Sequence, residues 1–277
     1  MTKVKNDAQN AAQRTMDNPW VERLIRVGYV MRGVLYAVVG ILAVQVAIGA
    51  GGATTDKNGA IATIGGEPFG KFLLVLVAVG LAAYSVWGFM RALFDPLHRG
   101  TDPKGLAVRA GYAVSGLAYA SLFVLTAHFL SGQGGGQGGS GSQELTAGLL
   151  HQPFGPWLVG LMGLIGMAGG LGQMWQAFTT DFKKDWKLGE MSAQTQQAAI
   201  AIGRFGLAAR GVIFLMLGFF VLQAGLHVDP KQAKGMDAAL LTLAHQPFGP
   251  ILLGVVALGL VSFGLYSMLC GRFIRLG

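Results

Sequence analysis

The sequence predicts an all-α integral membrane protein: six transmembrane helices, arranged as three parallel two-helix repeats around a pseudo-threefold axis. Three observations carry that prediction: a composition suited to lipid, six long apolar runs, and one residue pattern that occurs three times. Of 277 residues, 52% are hydrophobic and 12% charged, against about a quarter charged in a soluble domain. The 44 glycines are spread through apolar segments, apart from one tract, as suits close packing of membrane helices.

Apolar runs at 27–49, 69–94, 110–131, 154–178, 205–226 and 248–271 each match the roughly 20 residues that cross a bilayer core. Lipid leaves no bare backbone amide satisfied, and runs of this length and Leu, Val, Gly and Ala content favour helices over the alternating strands of a barrel. Lys3, Lys5, Arg14, Arg23, Arg26, Arg91, Arg99, Lys104, Arg109, Lys183, Lys184, Lys187, Arg204, Arg272 and Arg275 lie on one side of the spans. Lys57, Lys71, Lys231 and Lys234 lie on the other. The positive-inside rule then puts both termini in the cytoplasm of a bacterial cytoplasmic (inner) membrane protein. The net charge of +8 belongs to these flanking cations, so nucleic acid is not an expected partner. Residues 1–25 form a polar tail without the apolar core and cleavage site of a secretory signal. It reads as a cytoplasmic extension with a surface-lying helical part.

The chain aligns with itself in three units, at 26–95, 109–180 and 204–273. They open as RVGYVMRGVLYAVVGILAVQ, RAGYAVSGLAYASLFVLTAH and RFGLAARGVIFLMLGFFVLQ. Each continues through an outer loop and a short amphipathic stretch (GAIATIGG, ELTAGLLH, DAALLTLAH) to a Pro-Phe-Gly motif. These motifs are Pro68-Phe69-Gly70, Pro153-Phe154-Gly155 and Pro247-Phe248-Gly249. Proline suits the first turn of a helix, so each motif reads as a helix start. Units that each span twice from the same side are parallel, unlike the inverted repeats common in secondary transporters. The tract GQGGGQGGSGS at 132–142 reads as a flexible outer linker.

With its Arg-x-Gly opening and Pro-Phe-Gly midpoint, this three-unit pattern resembles a bacterial family known as domain of unknown function twelve-oh-six, over residues 26–273. The resemblance implies a bacterial membrane protein of three two-helix repeats and supplies no activity, cofactor or catalytic residue. The second unit departs from the others in having Ser115 where they have Arg32 and Arg210.

A charge inside a span costs about 2.5–3.5 kcal/mol on insertion scales and marks a functional position by default. Arg26, Arg109 and Arg204, at the inner boundary, can snorkel to phosphate headgroups or anchor their helices. Arg32 and Arg210 lie roughly 9 Å deeper and form a candidate anion or lipid-phosphate site; Asp95 is the one acid near them in a span. Gln45, His128 and Gln223 share one aligned position near the outer ends. They suggest interfacial hydrogen bonding, a polar ring on a solute or ion path, or, for His128, an axial haem or pigment ligand. His151 and His245 precede the second and third Gln-Pro-Phe-Gly; they suit capping or loop contacts, or a metal shared with His128 that lacks the usual acidic or Cys companions.

Nothing in the chain matches HExxH, GxSxG, a P-loop or a dinucleotide fingerprint after a strand, and Asp and Glu together number 13, nearly all in loops. Cys270 is the only cysteine, which excludes a disulfide within the chain. The expectation is a non-enzymatic accessory, scaffold or lipid-associated component without cofactor or metal. Its partners would be anionic lipid headgroups on the cytoplasmic side, with room for a membrane-protein partner. Its rivals are a channel or transporter along the axis and a haem- or pigment-carrying subunit.

Overall fold

The computed structural model describes residues 19–96, 100–132 and 141–274. Most of the polar tail, most of the glycine tract, Arg99 and Arg275 lie outside them. Six long helices account for the apolar runs: α1 (Pro19–Ala47), α3 (Gly70–Phe94), α4 (Pro103–Leu130), α6 (Gly155–Thr179), α7 (Ala193–His227) and α9 (Gly249–Phe273). Each is long and apolar enough to cross a membrane, and the chain is a multi-pass membrane protein. The amphipathic stretches are short helices, α2 (Lys57–Gly66), α5 (Gly141–Leu150) and α8 (Met236–Ala244). The first and last long helices meet where Arg26 donates to the Gly271 carbonyl at 2.9 Å. This end of the bundle is the terminal face, and the short helices lie at the opposite one.

The long helices that open the units start before their apolar runs, because polar residues supply the caps. Asp102 accepts from the Gly105 N–H and puts Pro103 at the first helical position of α4; Ser192 likewise accepts from Thr195 and starts α7 at Ala193. The Pro-Phe-Gly motifs behave differently from the expected helix starts. Each proline is the second residue of a four-residue turn, closed by Gly70 N–H to Glu67 O, Gly155 to Gln152 and Gly249 to Gln246, at 2.7–2.9 Å. Phe69, Phe154 and Phe248 hold the third position with φ of 61–65°. That is the pattern of a type II turn, where a glycine is usual. The helix begins only at the glycine. A Cβ at Gly70, Gly155 or Gly249 would meet a carbonyl oxygen of the preceding short helix at 1.9–2.3 Å.

Aligned residues make the same contacts between units in cyclic order. Gly33 packs on Gly264, Gly116 on Ser85 and Gly88, and Gly211 on Gly170, so closely that added Cβ atoms would meet the partner backbone at 2.5–3.2 Å. Glycines at these crossings let the backbones touch, as small residues do wherever helices associate in lipid. The opening arginines repeat the order. Arg26 donates to Gly271 and Arg272 carbonyls at the end of α9, Arg109 to Ala92 and Leu93 at the end of α3, and Arg204 to Ala177 at the end of α6. A cation on the last carbonyls of a helix satisfies acceptors that have no partner within the helix and opposes its dipole. Each unit therefore touches both others. Within units, α1 packs on α3 and α7 on α9, whereas α4 and α6 of the second unit make no comparable contact.

A cationic, tyrosine-lined centre as candidate functional site

Arg32 is 8% exposed, in the middle of α1. Its Nε donates to Ser267 Oγ at 2.8 Å and its Nη1 to the Tyr84 hydroxyl. Ser267 in turn donates to the Tyr29 carbonyl at 2.8 Å, which fixes its lone pair toward the guanidinium. The guanidinium carbon lies 4.8–5.2 Å from the ring centroids of Tyr29, Tyr84 and Phe263. Arg210, half-buried on α7, donates from Nε to the Tyr36 hydroxyl at 3.0 Å and sits 4.7 Å from the Phe214 and Phe263 centroids. The structure thus brings together the two arginines that the aligned sequence singles out, one on each side of Phe263.

Two further cations join them. Arg91 enters the sequence analysis as a flanking charge, yet it is 7% exposed. It lies 4.2 Å from the Tyr112 centroid and within 6 Å of those of Tyr84 and Trp87, with a long 3.5 Å contact from Nη1 to the Tyr29 hydroxyl. Its Nε is buried without a partner. Lys57, counted with the outer-loop charges, opens α2 and places Nζ 4.8 Å from the Tyr36 centroid and 4.9 Å from that of Tyr119. The Tyr119 hydroxyl is also buried and unpartnered. Shared rings thus link the four cations: Arg91 to Arg32 through Tyr29 and Tyr84, Arg32 to Arg210 through Phe263, and Arg210 to Lys57 through Tyr36.

Electrostatics set this centre apart from an ordinary buried ion pair. Among the described residues, carboxylates within ion-pair distance of a cation belong to Glu22 with Arg26 and Glu190 with Lys187. None serves Arg32, Arg91, Arg210 or Lys57. Each cation–ring contact contributes about 0.5–2 kcal/mol, enough for several to offset the insertion cost of one arginine. The rings leave most guanidinium N–H donors unused, because a π face accepts charge and not a set of directed hydrogen bonds. The centre is accordingly rich in donors and short of acceptors, and chemically it suits an oxyanion.

The other candidate residues do not converge. Gln45 and His128 are exposed and Gln223 is half-buried, each near the end of its own helix. His151 and His245 are exposed, and His245 Nδ1 lies 2.8 Å from the Leu241 carbonyl oxygen. No group of three or more His, Cys, Asp or Glu able to hold a metal occurs among the described residues. Asp95 accepts from the Gly100 N–H at 2.9 Å, closing the turn after α3.

Fold and centre together define a class: a six-helix membrane protein of three repeated hairpins that buries cations among tyrosines. The family model described as Domain of Unknown Function (DUF1206) matches three times, at 27–95, 110–180 and 205–273, and the chain belongs to that family. Over 273 residues it is 34% identical to the uncharacterized protein YxxB of Bacillus subtilis (strain 168), covering 99% of this chain and 95% of that one. No solved structure matches it.

Proposed function

We propose that the protein is a non-enzymatic component of the bacterial cytoplasmic membrane, with both termini in the cytoplasm. In this reading its three units surround a common axis and hold an oxyanion between Arg32 and Arg210. The observation that carries the reading is the pair of guanidiniums flanking Phe263 with no carboxylate near either. A charge buried without a partner costs several kcal/mol, so two at one depth suit an anionic ligand. Phosphate is the chemistry they share with a ligand, whether from a lipid headgroup or from solution. Arg26, Arg109 and Arg204 serve the bundle by capping helices.

The test is titration of the purified protein with inorganic phosphate and with a short-chain anionic phospholipid, followed by tyrosine and tryptophan fluorescence. Arg32→Gln with Arg210→Gln should weaken binding of the effective ligand at least tenfold while insertion and helicity persist. Undiminished binding by the double variant would contradict the proposal. A second reading, passage of the anion across the membrane, draws support from the linked order Arg91, Arg32, Arg210, Lys57.

A further inference from the structure

The second unit is built differently, on the side of the bundle where its two helices face each other. In the first unit, Gly28 packs against Tyr84; a Cβ there would meet Tyr84 N and Gly80 O at 2.9 Å. In the third unit, the aligned Gly206 packs against the aligned Phe263, with a Cβ meeting its N at 2.5 Å. The aligned pair in the second unit is Gly111 and Gly169, and a Cβ at either would meet nothing within 4 Å. Trp87 and Tyr266 have Gly172 as their counterpart, which also faces open space. The same unit carries Ser115 in place of the third arginine. Three large side chains that seal the other hairpins are thus absent together.

We infer that this opening between α4 and α6 is a lateral entrance for the headgroup of an anionic phospholipid, which reaches the arginine centre from the bilayer while its chains stay outside. The inference rests on the proposed oxyanion site and names its ligand. Two observations choose an amphiphile over a small ion. On the bilayer side, Gly172 joins Leu171, Met174, Trp175 and Phe178 in an apolar groove of about 510 Å³, suited to acyl chains. On the inner side, Tyr119 of α4 keeps a buried, unpartnered hydroxyl beside Lys57, and Arg210 is half-buried with most of its donors unused. Charge complementarity would hold the headgroup and hydrocarbon contact the tail.

The experiment fills the gap with the residue its sister unit uses. Wild-type protein, Gly169→Phe, Gly169→Ala and Gly111→Leu are purified from membranes containing phosphatidylglycerol, checked for unchanged thermal stability, and examined by native mass spectrometry. A parallel titration uses inorganic phosphate. Wild type and Gly169→Ala should retain one anionic phospholipid, and Gly169→Phe or Gly111→Leu at least tenfold less. Full retention by both filled variants overturns the inference. So does a wild type that retains no lipid yet binds phosphate, an outcome that leaves the arginine site standing. If wild type binds neither lipid nor phosphate, the site and its entrance fail together.

Discussion

At the residue scale the molecule turns on how a charge is kept in an apolar bundle. Arg32 is held by two hydrogen bonds and three rings, whereas Arg91 and Arg210 rely more on rings, because their helices offer fewer acceptors. Cation–ring contacts spread charge without adding carboxylates, and the centre keeps its net positive sign. Asp56 shows the opposite case outside the spans. It caps α2 by accepting from Gly59 at 2.9 Å, yet burial, with Asp237 nearby, pushes its carboxyl above the ordinary range. A carboxyl raised on folding binds its proton more tightly in the folded protein, so stability is highest while it is protonated. It falls as pH rises through about 4, the unfolded value, until the raised value is passed. Asp56→Asn keeps a capping side chain and should flatten that decline, measured as melting temperature in detergent across acid pH. An unaltered profile would assign the slope to other groups.

At the scale of elements, the three Pro-Phe-Gly turns are the feature most nearly identical between units. Each sets a phenylalanine in the left-handed region, a cost of roughly 1–2 kcal/mol for an L-residue, and each side chain is 79–85% exposed. The proline limits one position of the turn and the close approach of the short helix requires glycine at another, so the strain falls on the residue between them. Exposed aromatic rings at three equivalent turns suit the boundary between hydrocarbon and water. With Cys270 replaced by serine, Phe154→Cys should react with a membrane-impermeant thiol reagent added to intact cells from the periplasmic side. Reaction only in inverted vesicles would reverse the proposed sidedness.

At the scale of the whole molecule, the apolar runs revealed the spans, and the self-alignment revealed the units and the pairing of Arg32 with Arg210. Arg91 was hidden because it lies in the last turn of its helix among other flanking cations. Its position along the chain does not show that it faces Tyr112 of the next helix. Lys57 was hidden because its partners, Tyr36 and Tyr119, come from two different units. The gap in the second unit was legible only in part. Ser115 announces a departure, but Gly169 and Gly172 read as ordinary packing glycines until their surroundings show that nothing packs there. The aromatic positions Tyr84 and Phe263 acquire meaning in the same way, through their contacts with Gly28 and Gly206.

The account's central claim is that a phosphate-type oxyanion contacts guanidinium groups inside the bundle. The most direct measurement is solid-state NMR of arginine-labelled protein in membranes containing anionic phospholipid, reading the loss of guanidinium ¹⁵N signal through dipolar coupling to ³¹P. The account expects strong dephasing of buried arginine signals, abolished in the Arg32→Gln/Arg210→Gln variant. Equal dephasing in wild type and variant, or none in either, would contradict it.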